Sequence, residues 1–263
     1  TTLVTFEPQP QEFFAGGSAP PRLTRFKEKI SALRETPLDR VLLLRFNRAL
    51  ADTSAEEFIE RVLVNALGTK YLVVGDDFRF GRDGLGNLVM LREVGAKRGF
   101  QVVDRDTFKV GGGRVSSSWV RDALTNGELG VASELLGRAY SICGRVAYGD
   151  QLGRTIGFPT ANVEFRRHAS PMSGVYAVTV EGLGPAMLRG MANIGVRPTV
   201  GGKRLRLEIH LFDFEDDIYG RDIRTNFLYK LRDERRFDSL DALKAQIARD
   251  SDAARAFFSR EDK

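Results

Sequence analysis

Histidine and cysteine are almost missing from this chain, with two of the first and one of the second among 263 residues. A lone cysteine, Cys143, excludes an internal disulfide and fits a reducing, cytoplasmic setting. Flanked by Ile142 and Gly144 in an apparent strand, it reads as a buried structural thiol. His168 sits in a polar connection and reads as surface, far from His210, so the pair offers no zinc site. Long apolar runs are also lacking, and none approaches the roughly 18 residues of a membrane span. Long blocks of one charge are lacking too, although the net charge is +5 and the pI near 9.4. Such a balance favours anionic partners. Spread along the chain with mixed signs, it argues for local phosphate sites and against nucleic acid. What is present is a globular composition, 42% hydrophobic and 29% charged, in a length that holds two domains.

Residues 1–138 alternate apolar strand-like runs with helical patterns. The strands are expected at Leu3–Phe6, Val41–Phe46, Tyr71–Val74 and Gln101–Asp104, the helices at Leu23–Arg34, from Ser54 to Leu67, and at Leu88–Arg98. Ser54 with Glu57 forms a capping box. Val41–Phe46 is continuous enough to predict burial on both faces. This alternation predicts a parallel α/β sheet with ligands beyond the carboxyl ends of its strands. Thr1–Phe6 already reads as a strand, so the sequence is expected to lack an N-terminal piece.

Two loops in this half carry chemistry. Gly75-Asp76-Asp77-Phe78-Arg79-Phe80-Gly81 suits a cationic or aromatic ligand, or is a polar turn with Phe78 and Phe80 packed inward. Ser116-Ser117-Ser118-Trp119-Val120-Arg121 opens a predicted helix, where free N–H groups attract phosphate and Arg121 lies one turn in. Its bland reading is an N-cap cluster with no ligand.

A short helix is expected over Glu128–Leu136, closed by Gly137, and the domain boundary is expected near Arg138. Short β-like runs follow: Tyr140–Tyr148, Gly174–Val180, Met187–Ile194, Arg204–Phe214 and Ile223–Leu231. They predict a small barrel over residues 139–263. Asp238 or Ser239 then caps an amphipathic helix through Leu240, Leu243, Ile247, Ala254 and Phe257.

The most informative stretch is 144–162, GRVAYGDQLGRTIGFPTAN. Gly144, Gly149, Gly153 and Gly157 let a backbone approach a ligand closely, or simply build a hairpin. Pro159 then stiffens the chain ahead of Thr160 and Asn162, hard oxygen ligands of the kind Mg²⁺ accepts. No Walker sequence is present, since Gly202-Lys203-Arg204 fails at its last position. In RLRLEIHLFDF (204–214), alternation puts Leu205, Leu207, Ile209 and Leu211 on one face and Arg206, Glu208, His210 and Phe212 on the other. Glu208 therefore points away from the core, into water or into a site. His210 either orients Glu208 or is a satisfied sheet-face histidine.

The glycine-rich stretch with its Phe-Pro-Thr-Ala-Asn end resembles the riboflavin kinase signature. The Leu-Glu-x-His-Leu-x-Asp-Phe segment resembles the one carrying that family's general base. The two loops of the first half resemble motifs of the FMN adenylyltransferase module, as does Thr5-Phe6-Glu7-Pro8-Gln9-Pro10. The whole chain thus resembles bacterial bifunctional riboflavin kinase/FMN adenylyltransferases. That resemblance implies a nucleotidylyltransferase-like α/β domain, then a six-stranded Greek-key barrel. ATP and Mg²⁺ would serve riboflavin phosphorylation to FMN, and in the complete protein FMN adenylylation to FAD. No nucleic-acid or membrane partner is implied.

By the same likeness Glu208 is the base and Thr160 and Asn162 hold Mg²⁺. Gly149, Gly153 and Arg154 form a flap over the phosphates. Asn193 and Arg197, in a loop that resembles another family motif, are substrate-loop candidates. Asp77 and Phe78 would lie near the flavin of the adenylyltransferase, and Ser117, Ser118 and Arg121 near its ATP phosphates. There are departures: Gln9 replaces a usual histidine, and Ser118 a usual threonine. The family's early His-x-Gly-His loop has no counterpart, because residues 1–138 contain no histidine. If the chain is complete, adenylyl transfer is expected to be very weak or lost; if it is a fragment, the parent performs both reactions. The alternatives are a kinase with a scaffold first domain and a non-catalytic flavin-binding or regulatory protein.

Overall fold

The computed structural model describes residues 1–104, 108–149, 157–164, 169–199 and 202–262. By backbone contacts the chain divides into two units, Thr1–Pro20 with Ile30–Val115, and Pro21–Lys29 with Ser116–Lys263.

In the first unit, β1 (Thr2–Glu7) pairs in parallel with β2 (Arg40–Arg45), and β3 (Tyr71–Val74) in parallel with β4 (Gln101–Asp104). The expected parallel sheet is present as these two separate pairs, with a short hairpin of β5 (Lys109–Val110) and β6 (Gly113–Arg114). The unit also contains α1 (Pro10–Ala15), α3 (Arg48–Ala51) and α4 (Ala55–Phe58), while α2 (Phe26–Arg34) straddles the division. Ser54 caps α4 by accepting the Glu57 N–H at 3.1 Å, as the capping-box pattern predicts. Beyond Phe58 the helix widens into a π-helical stretch, Ile59–Ala66. α5 (Leu88–Arg98) begins at an Asn87 cap and stops at Gly99, whose φ of +76° is left-handed.

Phe58, Ile59, Leu63, Phe80, Leu91 and Phe100 form the core of this unit, and Phe6, Leu44, Leu72, Val74 and Val102 pack onto it. The expected burial of β2 on both faces does not hold. Its alternate residues Val41 and Leu43 are exposed, as are Tyr71, Val73 and Val103. The core lies against the face that carries Leu44, Leu72, Val74 and Val102.

The second unit begins with α6 (Ser117–Asn126) and α7 (Leu129–Leu136), which ends at Gly137 with φ +68°. The barrel follows: β7 (Tyr140–Ala147), β8 (Ala161–Glu164), β9 (Gly174–Glu181), β10 (Leu188–Thr199), β11 (Gly202–Leu211) and β12 (Asp222–Arg232). These close in the order β10-β11-β8-β7-β12-β9, with every pairing antiparallel. The run β12-β9-β10-β11 is a Greek key, the fourth strand returning to lie beside the first. Five of the six strands match apolar runs read from the sequence. β8 does not, because it is four residues long and hidden in the Thr-Ala-Asn end of the glycine stretch.

Ile142, Val146, Val178, Val180, Ile194, Leu207, Ile209 and Phe227 are fully buried in this unit. Helix α8 (Leu240–Glu261) lies outside the barrel wall. It is capped by Ser239, which accepts the Ala242 N–H at 3.1 Å. Ala254 and Phe258 pack on Ala177, Met191 and Phe212, with Ile247 and Phe257 beside them. Leu240, expected on that face, is instead exposed.

Residues 21–29 join this unit at several points, among them the Tyr140 hydroxyl, which donates to the Leu23 carbonyl at 3.1 Å, and both backbone groups of Cys143. The Arg25 guanidinium donates to the Cys143 carbonyl at 2.6 Å, and the buried Glu28 carboxylate accepts the Cys143 N–H at 2.8 Å. The Cys143 thiol is only half-buried, and burial, aided by the Glu28 charge, pushes its pKa up.

Candidate active site

The alternation of β11 decides which side chains leave the barrel. Leu207 and Ile209 are each 1% exposed and point inward, so Arg206, Glu208 and His210 stand on the outer face. Strand register then builds a row across three strands. Glu208 pairs with Asn193 of β10 on one side and with Asn162 of β8 on the other. Neighbours in such a row are close enough to share one ligand.

These side chains line a cavity of about 290 Å³ with Thr160 and His210, between the barrel wall and the Leu243, Ile247 and Asp250 face of α8. Phe158, Val175, Met191 and Phe237 supply an apolar lining, and Arg206, Arg232, Glu234 and Arg235 a charged one. Arg206 donates to Glu208 Oε1 at 3.2 Å, and both side chains are about one-third exposed, at 32% each. The base candidate is thus an oriented carboxylate at a cavity wall.

A second cavity, of about 530 Å³, is bounded by Val146, Pro159, Thr160, Ala161, Ile209, Leu211 and the acidic turn Phe214–Tyr219. The 158–162 segment is the partition between the two. Phe158 and Asn162 line the first cavity, Pro159 and Ala161 the second, and Thr160 both.

The glycines divide by role. A Cβ on Gly149 would fall 2.0 Å from Asn162 Nδ2, so only glycine lets that backbone lie against the Asn162 amide. Gly157 has φ +85° and makes the turn into the partition. Gly144 lies within β7, paired with Ile223, where a Cβ would meet Val163 Cγ1 at 2.4 Å and the Glu164 carbonyl at 2.6 Å. Its place is in the barrel wall. Gly144→Ala is therefore expected to destabilise the barrel by about 1–3 kcal/mol through overpacking. The urea midpoint would register this, and an unchanged midpoint would contradict it.

Gly153 and Arg154 lie outside the described residues, as does His168. Arg197 pairs along the backbone with Arg204 near the end of β10. Among the described residues no cluster of His, Cys, Asp and Glu is able to hold a metal. The Thr160 hydroxyl and Asn162 amide carbonyl are neutral hard oxygens. They suit Mg²⁺ that brings most of its own ligands, as a cation bound to phosphates does.

The candidates of the first half fall in different units: Asp77 and Phe78 in the first, Ser117, Ser118 and Arg121 in the second. Asp77 is ion-paired with Arg114 at 2.5 Å. Phe78 stacks on the buried Phe80, with centroids 5.5 Å apart and planes 17° from parallel. Both phenylalanines line a cavity of about 420 Å³ with Phe6, Phe14, Phe46 and Phe58, and with Arg48, Arg79 and Arg82 at its rim. Ser116 caps α6 by accepting the Trp119 N–H at 3.2 Å, which leaves Ser117 and Ser118 exposed in the first turn. Arg121 Nε donates to the Pro21 carbonyl at 2.7 Å.

Arg206, Arg232, Glu234, Arg235 and Phe237 line the site without having been singled out for it in the sequence. Arg206 was available from strand alternation. The others lie in or just after the end of β12, in a charged run that resembles any solvated loop.

Two family models match separate parts of the chain. A riboflavin kinase family model matches residues 136–258, and a FAD synthetase family model matches residues 1–119. The bifunctional riboflavin kinase/FMN adenylyltransferase of Escherichia coli K12 is 53% identical over 97% of this chain and 82% of its own length. Its namesake from Haemophilus influenzae is 45% identical over 98% of this chain and 83% of its own. A solved structure described as a macrolide-efflux protein from Streptococcus pneumoniae superposes with a TM-score of 0.81 at 30% identity, over 97% of this chain and 83% of that one. Among the described residues of this chain, no helix is long and apolar enough to cross a membrane.

Proposed function

Because the chain belongs to the bifunctional riboflavin kinase/FMN adenylyltransferase family, we propose that its barrel phosphorylates riboflavin to FMN with ATP, with Glu208 on the outer face of β11 as the base. The observation that carries this reading is the partition: one segment, 158–162, is shared by two cavities, and Thr160 faces both. The cavity holding Glu208, with its apolar lining, takes the flavin. The cavity beyond Thr160 takes the nucleotide. Functionally we set the boundary at Arg138, with residues 1–138 as the adenylyltransferase-like part and 139–263 as the kinase. The first part forms FAD from FMN, with the phenylalanine-lined cavity beside Phe78 as its flavin pocket and Asp77 close by. Ser117, Ser118 and Arg121 stay assigned to its ATP phosphates by family likeness.

The chemistry asks for little beyond positioning and charge neutralisation. The ribityl 5′-hydroxyl loses its proton to the Glu208 carboxylate as its oxygen bonds to the γ-phosphorus. The bond from that phosphorus to the β–γ bridging oxygen breaks, and ADP leaves. Arg206 holds the carboxylate in one orientation, so the acceptor hydroxyl meets a fixed partner. Thr160 and Asn162 would hold Mg²⁺, which when bound neutralises phosphate charge. Arg154, by family likeness, adds a positive charge on the glycine flap, and Asn193 and Arg197 stand as substrate-loop residues.

The test is incubation with riboflavin and Mg-ATP, followed by chromatographic separation of riboflavin, FMN and FAD. FMN is the expected product. Folded protein that forms no FMN would overturn the kinase reading and leave a flavin-binding protein in its place. FMN without FAD would identify a chain active only in its barrel.

A further inference from the structure

We infer that His210 is a positioning residue for the nucleotide, acting through the partition rather than through Glu208. The ladder from β8 to β11 ends at the Ala161–Ile209 pair, and the ladder to β7 ends at Asn162–Ala147. Thr160 therefore lies one residue beyond the ladder to β11 and two beyond the ladder to β7. Pro159, next along, has no N–H with which to extend either. At this point the His210 ring takes over. Its Nδ1 lies 2.8 Å from the Pro159 carbonyl oxygen. A carbonyl only accepts, so Nδ1 carries the proton and donates.

The ring is itself held edge-on by two aromatics, Phe158 at 5.5 Å and Phe212 at 5.8 Å between centroids. Phe212 is buried, and the Arg255 guanidinium of α8 lies over it at 4.4 Å. One side chain of β11 thus fixes the carbonyl just before Thr160, the residue common to both cavities. A hinge left loose here would let the Thr160 hydroxyl drift from the phosphates, and a displacement of about 1 Å costs on the order of 100-fold in a positioned reaction. This inference rests on the assignment of Thr160 to the nucleotide, and its test separates the two.

The experiment measures binding of a non-hydrolysable ATP analogue with Mg²⁺, and separately of riboflavin, by calorimetry on the full chain. Melting temperature and steady-state kinetics accompany both. His210→Ala is expected to weaken the analogue about 10-fold and raise KM for ATP similarly, with a smaller loss of riboflavin affinity, about two- to threefold, because the ring also lines the flavin cavity. His210→Asn keeps a donor at the Nδ1 position and is expected to recover analogue binding to within about threefold. His210→Gln, whose donor sits at the Nε2 position, is expected to stay weak.

A loss of riboflavin affinity with nucleotide affinity intact would make His210 a flavin contact and overturn the inference. So would equal defects in the Asn and Ala variants, or a fall in melting temperature with both affinities retained. Thr160→Val is the control. If it weakens the analogue while His210→Ala does not, positioning by His210 fails and the nucleotide assignment stands. If Thr160→Val leaves the analogue unaffected, the assignment fails and takes the inference with it.

Discussion

Glu208→Gln is expected to lower FMN formation about 100- to 10,000-fold while riboflavin still binds. The range is the usual worth of a positioned general base, about 2.7–5.5 kcal/mol of barrel-site transition-state stabilisation. Glutamine fills nearly the same volume and can still meet Arg206, so the cavity wall survives and only the proton acceptor is lost. Glu208 stands mid-row between Asn193 and Asn162, so a change in packing there would also disturb substrate binding. A kcat defect with riboflavin affinity preserved separates the two. Turnover in Glu208→Gln equal to the parent would remove Glu208 from the base role.

The second large effect concerns the helix that closes the flavin cavity. Asp250 of α8 is 5% exposed and receives three contacts of 2.8–3.0 Å from the Arg232 guanidinium of β12, plus one of 2.6 Å from Gln246. Asp250→Ala leaves the mostly buried guanidinium without its counter-charge, a situation that costs about 3–5 kcal/mol. Arg232 keeps its bond to the Asp233 carbonyl at 2.9 Å, rests near the Phe237 ring and is one-fifth exposed. The lower end, about 3 kcal/mol, is therefore expected, with a fall in melting temperature of roughly 10 °C. Both partners line the cavity, so KM for riboflavin should rise as well. Replacing the pair together, Arg232→Met with Asp250→Leu, should regain much of the stability, because no charge is then stranded. A melting temperature within 2 °C of the parent in Asp250→Ala would show that α8 is held by its apolar face alone.

Much of this molecule was legible in its pattern of residues. Tyr71–Val74, Leu88–Arg98 and Gln101–Asp104 have the extents expected of them, because each is bounded by a cap or turn that acts within a few residues. The two faces of β11 were legible because a strand has a period of two and the core is apolar. β8 was not: four residues between a proline turn and a polar connection have too few side chains to show a period. The exposure of Val41, Leu43, Tyr71 and Val73 was not legible either. A strand's own residues report that they are apolar, not what covers them.

The residues alone determined that the glycine-rich stretch ends in a stiff Pro-Thr-Ala-Asn, and that a carboxylate leaves the apolar face of a strand some 45 positions later. Local chemistry suffices for both, since each depends only on neighbours along the chain. Tertiary structure decided that these two features meet. Closure of the barrel puts Asn162 beside Glu208, lays Gly149 on the Asn162 amide, and turns the 158–162 segment into a wall between two cavities. It also gave His210 its partner in Pro159, 51 residues away. Register between distant strands is set by the packing of the whole barrel core, and no local pattern encodes it.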